Sequence, residues 1–422
     1  MEQDDILKRY KECKINRLKD KNLEALKAFK EALKIMNIKD EQIFEPDLIS
    51  KVPIKYRELL YKLLEEFSIF SYYIDLYNKR KILRLIDRIL FRYFIIRFVN
   101  VEILENNLKY YMDKIKYKYR KQIIINCEKD YKEFNPSIIN TGTEFIINCR
   151  TSNYYIGDYS IYCKSTDGII NTKNYIIKMD YEFNIISQKE LIDKSIRKRY
   201  EIEKVKGLED LIIFYFNDEL CATCTLIDGN EERLRQIGLL KINETNTNYE
   251  INNSIPLDSM YINKWEKNWL PFIDNNNLFL VYNYDPIDII NTIINDHNKY
   301  TGEIDIYSRF FSQLNLVRFR GSAGPLRFYD NLLIVIHEVS KIDDKRMMYN
   351  HRFILLNNNY EIIKLSDPWY FEHHGVEFCR GICDFGDDII LSVGIEDEEA
   401  WLYVIDKEEI WDSLEDINKF IL

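Results

Sequence analysis

Apolar positions along the chain follow two rhythms. Near the start they recur every three or four residues: Leu26, Phe29, Leu33 and Met36 fall on one face of a helix. The stretches YRELLYKLLEEFSIFSYYIDLY (56–77), KRKILRLIDRILFRYFIIRFV (79–99) and VEILENNLKYYMDKIKYKYRK (101–121) keep that spacing, and no glycine precedes Gly142. Residues 1–130 are therefore expected to form an α-helical domain. Beyond them the pattern breaks into short β-rich runs: TEFIINCR (143–150), LIIFYFN (211–217), LFLVYNY (278–284), LLIVIHEV (332–339) and IILSVGI (389–395). Turn residues punctuate them, such as Asn217-Asp218 and the three asparagines 357–359.

These runs repeat. With Ile146, Phe214, Leu280, Ile334 and Leu391 as markers, the steps are 68, 66, 54 and 57 residues. A twisted four-stranded sheet cannot bury both faces by itself, whereas several arranged radially cover one another. The expected fold class is α+β multidomain: an N-terminal α-helical domain (1–130) followed by a five-bladed β-propeller (131–422). A pocket built by several blades then gathers residues remote in sequence.

Charge sharpens the boundary. Residues 1–130 hold 29 Lys+Arg against 21 Asp+Glu, and the other 292 hold 30 against 48, giving +8 and −18, which sum to the net −10 of the whole chain. Arg80, Arg84, Arg88 and Arg92 form a basic stripe suited to an acidic partner or a membrane surface, or to the solvated face of a core helix. The acidic balance and the lack of a reader motif argue against nucleic acid. The charged start MEQDDILKRYKECK carries no secretory pattern, and ILFRYFIIRFV (89–99) is too short for a bilayer, so a cytoplasmic location is expected.

Eight cysteines in 422 residues do not make a disulfide scaffold. Cys221-Ala-Thr-Cys224, and Cys379 with Cys383 near His373 and His374, have spacings that suit either zinc or ordinary buried thiols. The chain has no GxxxxGK[ST], GxGxxG or GxSxG, which argues against phosphate-loop, dinucleotide-binding and α/β-hydrolase chemistry.

Polar groups recur at comparable places in the five units. The first has Asn135-Pro136 and a strand ending in Arg150; the second has Glu209-Asp210 in GLEDLIIF. The third supplies Glu266, Lys267, Asn268 and Trp269; the fourth FRGSAGPLRF, then His337-Glu338; the fifth VEFCRG and SVGIEDEEAW. Each also has a structural reading. Asp210 suits a turn cap, Arg150 and Lys267 suit ion pairs between blades, His337-Glu338 suits a buried pair, and Asp397 suits an acidic hairpin turn.

Taken in order, NPSI, GLEDL, EKNWLPF, GSAGPL…VIHEV and VEFCRG…SVGIED resemble the five-bladed propeller family of inverting β-mannoside phosphorylases and β-1,2-mannosyltransferases over about residues 131–410. The resemblance implies that Asp210, at the place of an Asp-Pro-Arg aspartate opening the second blade, donates or accepts the proton. It implies that Arg150, Lys267 and His337, with Arg352 and Arg380 behind them, hold phosphate. Asp397 would grip sugar hydroxyls, Trp269 and Phe272 would stack on a sugar ring, and Asn135 and Glu338 would line the same site. A sugar donor (nucleotide sugar or sugar phosphate) and a glycan acceptor are the implied partners, with no cofactor or metal. The motif's proline and arginine are replaced by Leu211 and Ile212. That departure favours an inverting glycosyltransferase over a glycoside phosphorylase. It also leaves open a non-catalytic propeller that binds a glycan or a protein.

Overall fold

In a computed structural model of the chain, the described residues are 113–419, apart from short segments at 157–160, 166, 197–204, 230–233, 259–265, 285, 295–299, 311–315, 317–318, 342–346 and 374. Earlier in the chain only Lys8, Arg9, Glu31, Ala32, Lys34 and Ile35 are described, each in helical conformation. The chain divides into two compact units, Met1–Tyr110 and Tyr111–Leu422.

Strands dominate the second unit. Four run as blade one (Lys132–Asn140, Phe145–Ser152, Ile170–Met179, Ile185–Asp193) and four as blade two (Glu209–Phe216, Glu219–Leu226, Gln236–Glu244, Tyr249–Pro256). Blade three comprises Leu270–Asp274, Asn277–Tyr284, Ile287–Ile294 and Tyr300–Phe310, and blade four Arg320–Phe328, Asn331–Lys341, Met347–Leu356 and Ile362–Ser366. Blade five has Glu377–Phe385, Asp388–Ile395 and Glu399–Asp406 from its own stretch. Its fourth strand, Tyr119–Ile123, comes from 270 residues or more upstream in sequence and pairs antiparallel with Glu399–Asp406, Tyr119 opposite Val404 and Ile123 opposite Ala400. The first strands of the blades touch in the cyclic order one, two, three, four, five, one.

Five buried apolar clusters fill the five gaps between neighbouring blades. The period-two rule of a strand explains how one strand feeds two of them. In Asn331–Lys341, Leu332, Ile334 and Ile336 face blade three, while Leu333 and Val335 face blade five. Both faces of each blade are thus covered, so its strands read as continuous apolar runs rather than as alternating ones.

Two expectations are corrected here. The described structure is all-β in class rather than α+β; among the described residues of the second unit the one α-helix is Lys407–Asp412. The segments 56–77 and 79–99, and with them the basic stripe and its acidic or membrane partner, lie outside the described residues. The compact unit that holds the blades begins at Tyr111. Asp113–Lys114 pairs with Trp369–Tyr370, and Tyr119–Ile123 closes blade five, so the end of the supposed helix 101–121 is strand. The strand, YRKQI, buries Ile123 and leaves Tyr119 exposed, as suits an outer strand, and the pairing partner that selects this conformation is remote in sequence.

Candidate active site

Four of the five first strands carry an irregularity at about the same level. The register slips between Phe134 and Ser137 in blade one, Glu209 and Ile212 in blade two, Gly321 and Ala323 in blade four, and Cys379 and Gly381 in blade five. A β-bulge turns one extra side chain out of the alternation and re-aims it. The residues so placed are Asn135, Asp210, Ser322 and Arg380, and Asn268 stands just ahead of the first strand of blade three. All five are polar and buried. Asn135, Asp210 and Asn268 are left-handed, with φ of 47°, 55° and 63°. Gly394 permits the close packing here: a Cβ on it would lie 2.5 Å from the main-chain nitrogen of Asn135.

Asp210 is the centre of this group. Its Oδ1 accepts from Arg150 Nη1 at 2.8 Å and from Asn135 Nδ2 at 3.3 Å, and Lys267 Nζ stands 3.5 Å from Oδ2. Its own carbonyl accepts from Arg380 Nε at 3.1 Å and also from Nη2. Glu209 shares two of these cations and adds a third: Arg150 Nη2 at 3.2 Å, Lys267 Nζ at 3.6 Å and Arg235 Nε at 3.5 Å. Burial by itself would push the Asp210 carboxyl up, but the fields of Lys267, Arg150 and Arg380 and the Asn135 hydrogen bond overcome it. The outcome is a carboxylate held well below its usual range.

Asp397 stands in the opposite state. Glu396 and Asp397, both left-handed (φ 52° and 53°), make the turn of the last hairpin, and Asp397 Oδ2 accepts from Tyr154 Oη at 2.7 Å. Burial raises its carboxyl despite the attraction of Arg150 and the Tyr154 bond. Two carboxylates in one electrostatic neighbourhood thus have their proton affinities pushed apart, the pattern from which acid and base roles are assigned. His337 lies within the field of Asp210, its ring stacked on Tyr349 at 5.6 Å and edge-on to Phe378 at 4.9 Å. Burial, with His351, Arg320 and Arg380 acting in the same direction, keeps it neutral.

The structure gathers Asn135, Arg150, Asp210, Lys267, Arg380 and Asp397 within one electrostatic group and places His337 at its border. Three roles change. His337 is uncharged, so it offers an N–H rather than a cation to phosphate. Arg380 is 1% exposed and is spent on the Asp210 carbonyl and on Asn268 Oδ1, 3.4 Å away. Trp269 is 1% exposed in the core between blades two and three, its Nε1 donating to Glu266 Oε2 at 3.2 Å and its ring 4.7 Å from that of Tyr282. No face of that indole is left for a sugar, and Phe272 is likewise core.

Arg352 and Glu338 belong to a different place. Arg352 Nη1 donates to the Ser366 carbonyl at 3.1 Å, and its guanidinium lies 5.8 Å from the Phe319 ring. Glu338 follows His337 on a regular strand and so faces the other way, towards the field of Arg352. The cysteine pairs also diverge. Cys221 and Cys224 are three apart on a strand and enter different cores. Cys379 and Cys383 would share a face, but the bulge at Arg380 reverses the alternation between them. Among the described residues, no group of His, Cys, Asp or Glu is placed to hold a metal ion.

Sequence reasoning named Glu209 without giving it a role, and it missed Tyr154, Arg235 and Tyr349 as members of the group. Glu209 was adjacent to Asp210 in GLEDL and carried the only local signal, a second acid before an apolar strand. For Tyr154 and Tyr349 there was none, in a chain with 31 tyrosines.

Fold and site together define a five-bladed β-propeller with a charged cluster where its first strands converge. No protein-family model matches the chain, and no curated protein matches it in sequence. Among solved structures it is similar to a β-1,2-mannobiose phosphorylase from Listeria innocua, with 12% identity, 69% of this chain and 94% of that chain covered, and a TM-score of 0.45. A mannose phosphorylase from Leishmania mexicana (11%, 75% and 94%, TM-score 0.43) and a GDP-Man-dependent mannosyltransferase from the same organism (10%, 73% and 94%, 0.43) are also similar.

Proposed function

We propose that the protein is a carbohydrate-active propeller and, within that class, an inverting glycosyltransferase that uses a phosphate-activated sugar donor. The observation that carries this reading is the state of Asp210, a carboxylate held down by Arg150 and Lys267 where the blades converge. A carboxylate in that state has no proton to give and can serve only as a proton acceptor. Transfer needs only an acceptor of protons. The acceptor hydroxyl attacks the anomeric carbon, the new C–O bond forms as the bond to the donor phosphate breaks, and the hydroxyl proton passes to Asp210. The phosphate leaves as an anion and needs no acid.

Phosphorolysis asks for the reverse, a proton delivered to the glycosidic oxygen, and the cations around Asp210 oppose it. Ile212, packed in the core between blades three and four, supplies no cation where the resembled family has arginine. Lys267 is the movable member, its side chain 24% exposed and its contacts no closer than 3.5 Å. Turning towards a donor phosphate, it would stabilise the leaving charge and withdraw positive field from Asp210, raising that carboxylate's proton affinity at the moment of attack. The mannosyl group is the sugar that the sequence resemblance favours, with a glycan as acceptor.

The test begins with thermal unfolding in the presence of nucleotide sugars and sugar phosphates, since a ligand of the native state raises its stability. Turnover is then measured with the stabilising donor and a panel of glycan acceptors. Asp210→Asn should still bind the donor and lose turnover; a folded variant that retains turnover refutes the assignment. A second reading, a propeller that binds glycans without turnover, draws on the mutual saturation of Arg150 with Glu209 and Asp210. It expects donor binding, no product, and no change in binding for Asp210→Asn.

A further inference from the structure

Arg380 occupies in blade five the bulge position that Asp210 occupies in blade two, and the two meet where the blades converge. Its guanidinium donates from Nε and Nη2 to one acceptor, the main-chain carbonyl of Asp210, and from Nη1 to the side chain of Asn268. Both receiving residues are non-glycine and left-handed. L-residues avoid that conformation unless the surroundings over-determine it, and such residues cluster at functional sites. A guanidinium fork has the planar geometry to fix a carbonyl in direction as well as in place.

We propose that Arg380 is a positioning residue: it holds Asp210 in its left-handed conformation and aims the carboxylate into the cluster, without touching substrate itself. The inference rests on the proposed transfer reaction for its functional consequence, and on geometry alone for its structural one. At 1% exposure Arg380 has no surface to offer a phosphate, and all three of its nitrogens are directed at the two left-handed residues. Its charge acts along the same line, helping to keep the Asp210 carboxyl ionised. Arg150 approaches that carboxylate from the side-chain end while Arg380 grips the main chain behind it. A change of one therefore disturbs charge, and a change of the other disturbs aim.

The experiment is a pair of mutant cycles on the full chain. Arg380→Met and Arg380→Lys are each made in the natural background and with Asp210→Gly, because glycine adopts positive φ without penalty. In denaturant unfolding at neutral pH, the loss of midpoint caused by either Arg380 change should fall by half or more when residue 210 is glycine. Equal losses in both backgrounds overturn the proposal. If Arg380→Met fails to fold, the lysine cycle carries the same readout. The second measurement uses the donor that gives turnover in the Asp210 assay. There Arg380→Met should lower kcat by about 100-fold with donor KM nearly unchanged, as expected when a reacting group is displaced by about an ångström. Its acid limb should move to higher pH as a cation is withdrawn from Asp210, with partial recovery in Arg380→Lys. A raised KM with kcat retained would make Arg380 a substrate contact and overturn the proposal. If no donor turns over, the transferase reading fails, while the unfolding cycles still decide whether Arg380 positions Asp210.

Discussion

Arg150 and Asp210 form an ion pair across a blade boundary: Nη1 in the second strand of blade one lies 2.8 Å from Oδ1 in the first strand of blade two, and both side chains are less than a tenth exposed. The same guanidinium serves Glu209 and lies 4.9 Å from the Phe134 ring. Removing one partner of a buried pair strands the other, which is more costly than never having had the pair. Arg150→Met should therefore destabilise the protein by about 3–5 kcal/mol. Arg150→Met with Asp210→Asn should lose less than the single change, and denaturant midpoints of the three variants read this directly. A milder single variant would mean that water enters and screens the two carboxylates.

The two aspartates predict opposite pH responses. Asp210 titrates lower in the folded chain than in the unfolded one. Its contribution to stability is present above the ordinary carboxylate pKa and drains away as pH falls through that value towards the folded one. Asp397 titrates higher when folded, so its ionisation costs stability at neutral pH, a cost that disappears below the ordinary carboxylate value. Asp210→Asn should flatten the acid side of a stability profile below about pH 4. Asp397→Asn should raise the melting temperature at pH 7 and lose that advantage by about pH 4. The profile is measured by thermal unfolding across this range, and parallel curves for the two variants would contradict the assignment.

Trp269 separates a core role from a sugar-stacking one. Trp269→Phe keeps most of the packing but deprives buried Glu266 of a donor, so about 1–3 kcal/mol should be lost. Trp269→Ala should cost about 3–5 kcal/mol by leaving a cavity. The melting-temperature rise produced by a bound donor should be the same in Trp269→Phe as in the unchanged protein. Its disappearance would return the indole to the site.

Lys267 should behave in reverse. Its ion pairs are long and its side chain partly exposed, so Lys267→Met should cost less folding stability than Arg150→Met, for which about 3–5 kcal/mol is expected. Donor affinity, measured by calorimetry, should fall by about tenfold or more, because a charge-assisted contact to phosphate is lost. Undiminished affinity would place the phosphate elsewhere.

The repeat was legible because alternation and turn chemistry are local. The five apolar runs correspond to strands in five successive blades, and GLEDL, KNW and CRG each deliver a residue to the convergence of first strands. The helical rhythm of 101–121 misled because Tyr and Lys alternate there beside a three-to-four spacing, and only pairing with Glu399–Asp406 selects strand over helix at its end. Trp269 misled for a related reason. An indole beside Lys267 suits a rim or a core equally well until the neighbouring blade supplies Phe214, Leu239 and Cys221 to cover it.

By itself the amino-acid order determined the spacing of the strand units, the places of their turns and the polar residue that opens each unit. Those properties depend on neighbours within a few positions. Tertiary structure alone decided what the polar residues became. Arg150 reaches Asp210 across 60 residues, Arg380 across 170, and Tyr154 reaches Asp397 across 243. A bulge reversed the facing of Cys379 and Cys383, and closure of the ring set one aspartate as a carboxylate and raised the proton affinity of the other. Proton affinity is a property of the surrounding field and burial, and both exist only once the blades have met.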